Sequence, residues 1–421
     1  MDRGRPRPGN GARRRRPRSR PDVVTRRLRC QLAPLLALLA LVTVLGACQA
    51  GGGSGSVSPT VGAPSGTSGS AASTVPVGPP VGWTQVALPD ASQPVTLAAT
   101  DRALLVGSYA TTRPNPRLWV LTGASTAGAR SVRLTPVSPY AFEARWLSVA
   151  VDGDRVLAVG GARGGAHSNV RWTVWSGTTD AVVEQPQPFE VFGGWGAGDL
   201  SGAAFVAGVP LVSGGWQSDR AGNDVSLWRL SGSRWNRQSS TGTPLGSTAV
   251  ALNGARTLSG SGSGAVLAGS VTDLAGGSVR STPAVWTSSS AGGPWTLVRL
   301  PATSPLAEAH AARCAAGRCL VVGQDGGRLA VWRVVDGAPT RLQVPEVTVG
   351  DHVQLPAPVA LGDAEVVVAP GALLVLHGDA WSRESSPPGQ PTASAVAAGR
   401  LFVVTADASG TGRLYVRSGT G

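Results

Sequence analysis

From Trp83 onward four kinds of strand return in one fixed order, seven times over. The first kind is rich in small residues: Val95–Thr100, Trp146–Val151, Ser201–Val206, Ser247–Leu252, Ala309–Cys314, Ala357–Leu361 and Ala393–Ala398. The second is strongly apolar: Leu104–Gly107, Val156–Gly160, Val209–Ser213, Ala265–Gly269, Cys319–Gly323, Glu365–Ala369 and Leu401–Thr405. The third carries an aromatic at Trp119, Trp175, Trp228, Trp286, Trp332 and Tyr415, with Leu374 in its place once. The fourth often opens on Trp, at Trp83, Trp235, Trp295 and Trp381, with Val132, Val182 and Arg341 marking weaker copies. Such recurrence constrains the fold more than any single motif does.

The mean period over residues 83–421 is about 48, the length of a four-stranded propeller blade. The expected fold is therefore all-β: a seven-bladed β-propeller of four-stranded antiparallel blades. Ala and Ser suit an innermost strand crowded around a central axis. Trp suits the wider gap between blades, where large rings fill space. The 58 Gly and 32 Pro, with only 14% charged residues, fit many short strands joined by turns. The domain begins on a fourth strand (Trp83–Leu88) and ends on a third (Arg413–Arg417), so the two ends complete one blade and leave no free sheet edge. Two β-sandwiches would explain neither the sevenfold count nor these complementary ends.

The most complete copy is Val209–Gln238, with an apolar strand, Gly214-Gly215, Trp228 and then Trp235. It resembles a kelch repeat. The turn Ser288-Ser289-Ser290-Ala291-Gly292-Gly293-Pro294-Trp295 resembles the Asp-box of sialidase-type propellers, with Ser290 in place of the Asp and Pro294 in place of the Thr. In both families these motifs are turn and packing devices. The arginine cluster and Tyr/Glu pair that sialidase activity implies, and the Tyr/His copper site of kelch-type oxidases, have no motif here.

Ahead of the repeats, residues 1–29 hold twelve Arg against Asp2 and Asp22, so most of the net charge of +13 lies there. The apolar run Leu32–Leu45 follows directly, and Leu45-Gly46-Ala47-Cys48 closes it. A charged segment, a short apolar segment and small residues before a cut form an export signal, too short for a comfortable transmembrane helix. The four residues resemble the lipobox of bacterial lipoproteins. That resemblance implies a signal peptide over 1–47, a diacylglycerol-modified Cys48 (a palmitate-type anchor), and a protein held on the extracytoplasmic face of the cell membrane. Residues 48–82 continue as Cys48 plus a charge-free Gly/Ser/Pro/Thr tether whose root-mean-square span is about 30–35 Å. The basic segment is thus read as part of the signal, and no nucleic-acid partner is expected.

Few residues in the domain suggest chemistry. Cys314 and Cys319 flank a four-residue turn and in an exported protein read as a hairpin disulfide, worth less than the roughly 3 kcal/mol of a fifteen-residue loop. Two inter-blade loops, Val137–Arg145 and Gln187–Asp199, hold three of the five Phe. They nominate Tyr140, Phe142, Glu143, Phe189, Glu190 and Trp195 as ligand-binding residues, with Trp216 and Arg220 in an adjacent loop. Aromatics with interspersed charge suit a peptide or glycan surface. The same rings would equally plug the top of the ring or pack blade to blade. Glu143 and Glu190 would be the acid/base pair of a sialidase-like glycoside hydrolase. Glu308, His310, Asp351 and His352 are candidate metal ligands if neighbouring blades bring them together. No phosphate loop, nucleotide fingerprint or nucleophile elbow appears, and Ser259–Gly264 reads as turn material. The expectation is a non-enzymatic binding or scaffold lipoprotein, without cofactor, engaging a protein, peptide, glycan or envelope partner.

Overall fold

A computed structural model describes residues 82–417, apart from 124–127, 165–167, 262–263 and 351–352. The signal segment, Cys48, the tether to residue 81, and Asp351 and His352 lie outside the described residues.

The described chain opens with β1 (Trp83–Val86). Blade 1 is β2 (Gln93–Ala99), β3 (Leu104–Tyr109), β4 (Pro116–Leu121) and β5 (Ala129–Ser131). After β6 (Arg133–Thr135) and the single turn α1 (Pro139–Phe142), blade 2 is β7 (Arg145–Asp152), β8 (Arg155–Gly164), β9 (Asn169–Thr178) and β10 (Ala181–Glu184). The turn α2 (Phe189–Phe192) leads to blade 3: β11 (Ala197–Val206), β12 (Val209–Gln217), β13 (Asn223–Ser231) and β14 (Arg234–Arg237). Blade 4 is β15 (Ala251–Ser261), β16 (Gly264–Asp273), β17 (Arg280–Ser288) and β18 (Thr296–Arg299). Blade 5 is β19 (Ala307–Ala315), β20 (Arg318–Asp325), β21 (Arg328–Val335) and β22 (Ala338–Leu342). Blade 6 is β23 (Val359–Leu361), β24 (Ala364–Ala369), β25 (Ala372–His377) and β26 (Ala380–Glu384). Blade 7 is β27 (Gln390–Ala397), β28 (Arg400–Ala406) and β29 (Gly412–Arg417), with β1 on its outer side in antiparallel register, Trp83 opposite Arg417. The fold is the expected seven-bladed propeller of four-stranded blades.

Two details depart from the sequence reading. In blade 4 the first strand is β15, Ala251–Ser261, and not Ser247–Leu252. The Ser/Gly run expected to be a turn supplies the end of that strand. A side chain at Gly260 would collide with the Phe205 carbonyl of the neighbouring innermost strand, so the run is a close approach between blades. Blade 2 gains a fifth strand, because β6 leaves blade 1 and pairs parallel to β10.

The core lies between blades. Seven apolar clusters each join two neighbours, including blades 7 and 1. The third-strand rings Trp175, Trp228, Trp286 and Trp332 are fully buried in them. All four also work as donors, Trp175 to the Thr173 hydroxyl at 2.9 Å and the other three to loop carbonyls. Trp228 Nε1–H donates to Val191 O at 2.9 Å, Trp286 to Pro244 O at 2.9 Å, and Trp332 to Pro301 O at 2.7 Å. Each carbonyl belongs to the loop arriving from the previous blade, so the ring that fills the gap also pins the connection above it.

The glycine that closes the apolar run within several second strands has a local cause. The first strand bulges opposite Gly107, Gly160, Gly214, Gly269 and Gly323. A β-carbon at Gly214 would lie 2.7 Å from Asp199 O, and one at Gly160 would lie 2.8 Å from Arg145 O. The bulge pushes backbone into the space where a side chain would stand.

Strand alternation defines two faces. Loops from second to third strand and from blade to blade lie on one, here termed the loop face. The tight hairpins lie on the other. Gly82 precedes a fourth strand and so enters at the hairpin face. The Cys314–Cys319 disulfide, with S–S 1.98 Å, closes one hairpin there.

Candidate functional site

The two loops flanking blade 2 form a cleft on the loop face. Ser138 caps α1, its hydroxyl accepting from Ala141 N–H at 3.2 Å. The buried carboxylate of Glu184, at the end of β10, accepts from Val137 N–H, Ser138 N–H and the Ser138 hydroxyl, each at 2.6 Å. Asn115 N–H donates to Phe142 O at 2.8 Å and ties α1 to blade 1. On the other side, Phe192 is the plug of α2. Its ring lies 5.6 Å from that of Trp228 and 6.4 Å from that of Trp235. Gln187 Oε1 accepts from Trp235 N–H at 3.0 Å. Between the two turns runs a cleft of about 210 Å³, floored by β9 and lined by Tyr140, Arg171, Trp172, Pro186, Pro188 and Phe189.

Of the nominated residues, Tyr140 and Phe189 line this cleft, from opposite walls. Phe189 is 57% exposed, and the Arg171 guanidinium lies over its ring at 4.6 Å. Phe142 and Trp195 project to solvent, Trp195 almost completely, at 99%. Glu143 pairs with Arg113, and Glu190 with Arg234 at 3.2 Å. Trp216 does not reach the cleft. It stands edge-on to Trp228, carries Arg237 over its face at 4.8 Å, and supports the loop at Gly196 that displays Trp195. Arg220 lies further along the face, in a polar recess with Asp219, Asp224 and Thr241. Arg171 and Trp172 were missed by the sequence reading. Trp172 and Trp175, three residues apart on one strand, face opposite sides of the sheet: Trp175 fills the layer between blades 1 and 2, and Trp172 packs against the layer between blades 2 and 3 and lines the cleft.

The exposed apolar side chains are strongly segregated. Among the described residues eleven large ones are exposed, and eight stand in loops of the loop face. Val137, Phe142, Phe189 and Trp195 stand on the two loops that flank blade 2. Val250, Leu274, Val279 and Leu306 form a second group over blade 4, where Leu274 N–H donates to Val250 O at 2.9 Å.

No family model and no curated protein matches the chain. Among solved structures it is similar to YCF48 bound to D1 peptide, at 14% identity and TM-score 0.49, covering 80% of this chain and 97% of that one. BamB from Moraxella catarrhalis is similar at 14% identity and TM-score 0.42, covering 76% and 82%. The Neurospora crassa Pan2 WD40 domain is similar at 11% identity and TM-score 0.46, covering 80% and 96%. At such identities and scores the likeness is one of backbone path alone.

Of the four candidate metal ligands, Glu308 and His310 are described. Among the described residues no group of three or more His, Cys, Asp or Glu converges on one point. Glu308 pairs with Arg256. His310 is buried, its Nδ1 accepts from Leu355 N–H at 3.2 Å, and its Nε2 is 4.0 Å from Glu308. Burial, and then the charge of Arg256, push the His310 pKa from the ordinary 6.5 down to about 4. Between those values the unfolded chain binds a proton that the folded one refuses, so stability falls as pH drops from about 6.5 to about 4. Denaturant midpoints across this window will show that slope in the native chain and a shallower one in His310→Gln. An equal slope in the variant would assign it to another group.

Proposed function

We propose that this chain is an exported binding lipoprotein, anchored through Cys48 on the extracytoplasmic face of the membrane, whose loop face engages a protein or peptide. The segregation of exposed apolar side chains carries this reading. Eight of the eleven large apolar side chains exposed among the described residues gather on one face, and exposed apolar surface concentrated in this way supports an interaction site there. It gathers on the face opposite the one where the chain enters the ring at Gly82. The residues Leu45-Gly46-Ala47-Cys48 support the lipid anchor, and the kelch-like and Asp-box-like turns support the blade count without assigning an activity. Glu143 and Glu190 are held by arginines on separate walls, and we give the face a binding role and not a hydrolytic one.

Site-specific photo-crosslinking in the native envelope tests this. A photoreactive residue at Phe189 or Val279 is expected to capture a discrete protein partner, while one at Arg318 on the hairpin face captures none. Labelling from both faces alike, or from neither, would overturn the assignment. In parallel, metabolic palmitate label and membrane fractionation should both be lost in Cys48→Ala. Retention in the membrane without label would remove the anchor from the reading.

A further inference from the structure

We infer that the occupant of the cleft is an acidic, apolar peptide segment, one of whose Asp or Glu side chains is gripped by Arg171 while a neighbouring apolar side chain enters between Tyr140 and Phe189. This rests on the protein-binding reading and adds its chemistry. The carboxylates around the cleft are already committed. Glu143 is held by Arg113, Glu190 by Arg234, and Glu184 by three donors from Val137 and Ser138. The guanidinium that lines the cleft is not: Arg171 lies over Phe189, and among the described residues it has no carboxylate partner. The cleft therefore offers one positive charge without compensation.

The stacking of Arg171 matters as much as its charge. A guanidinium held over an aromatic ring keeps its N–H groups directed outward at the rim of the plane, ready for the two oxygens of a carboxylate. Phe189 also removes water from one side of the cation, which strengthens the bond it makes. The walls are apolar, with Tyr140, Trp172, Pro186 and Pro188, and take a hydrophobic side chain next to that anchor. Arg171 on β9 calls for one carboxylate, and the apolar residues lining the cleft beside it take neighbouring side chains, which suits an Asp or Glu within a segment better than a chain terminus.

The test uses the mature chain and fluorescein-labelled peptides in which Glu alternates with Leu and Pro, together with the Gln and Lys counterparts, with amidated ends throughout. Anisotropy titrations should show the Glu peptide binding about tenfold or more tighter than the Gln peptide. That preference should shrink with added salt. In Arg171→Gln the Glu and Gln peptides should become equal, and Arg171→Lys should recover only part of the difference. Phe189→Ala should weaken both. Equal binding of Glu and Gln peptides to the native chain, with both weakened by Phe189→Ala, would overturn the acidic occupant and leave the protein-binding face standing. Binding of none of the three peptides, alongside partner capture from Phe189, would do the same. A Glu preference that survives Arg171→Gln would overturn the role of Arg171. Free amino-acid glutamate as competitor should have no effect; full competition by it would reduce the site to a simple anion site and sink the peptide.

Discussion

Trp228→Ala will lower the stability of the propeller by about 3–5 kcal/mol, the range for truncating a fully buried large aromatic. Two losses add. The ring fills the layer between blades 2 and 3 with Phe192 and Trp235, and its removal opens a cavity there. Its Nε1–H also satisfies the Val191 carbonyl, which the variant leaves without a partner. Trp228→Phe separates them, since it keeps most of the packing and removes only the donor, and about 1–3 kcal/mol should go. Both effects reach the candidate site, because Val191 sits in the middle of α2. Urea titration gives the two free energies. Hydrogen exchange around residues 189–195 should rise in both variants, whereas a core role alone would leave that loop unchanged in Trp228→Phe.

Asp325→Ala should cost a similar amount, about 3–5 kcal/mol, as expected when one member of a buried charged cluster is removed. Its carboxylate is buried and accepts from Thr303 N–H at 2.9 Å, the Thr303 hydroxyl at 2.8 Å and Ser304 N–H at 2.7 Å, and it pairs with Arg341. Burial alone would raise its pKa. The donors from Thr303, Ser304 and Arg341 outweigh that and hold it below the usual carboxylate range. A group depressed in the folded state contributes fully above its unfolded pKa of about 3.9, and the contribution disappears as pH falls through the lower folded value. The native chain should therefore lose stability steeply below about pH 4, and Asp325→Ala, already weakened at neutral pH, should show less of that loss. A variant as stable as the native chain at pH 7 would show the cluster to be dispensable.

The repeat was legible because each part of it answers a packing demand that sequence expresses directly. Small residues mark the innermost strand, Trp marks the gap between blades, and Gly marks the place opposite a bulge. Blade 4 misled for the same reason. Its innermost strand is so crowded by Phe205 that it needs Gly260 among serines, and a Ser/Gly run is also the composition of a turn. The strand β6 was hidden because three residues carry no periodicity. The loops rich in aromatics were visible, but composition could not divide them. Phe189 and Phe192 stand one helical turn apart, and only the rings of Trp228 and Trp235 decide that Phe192 is core. Arg171 was invisible because its meaning comes from Phe189, which arrives from another loop.

The pairing of β1 with β29 has a mechanical consequence. Trp83 reaches across 302 residues of sequence to donate to Ser385 O at 3.0 Å, so the ring is latched by a strand of four residues. A pull on the chain ahead of Gly82, against a load held on the loop face, passes through that strand before it reaches any complete blade. Because β1 runs from the hairpin face toward the loop face, that pull lies along the strand and loads its four pairs with β29, from Trp83 to Val86, in shear together. Under tension the propeller has a defined point of failure. Its resistance is set by four residues and the burial of Trp83, and not by the seven blades together.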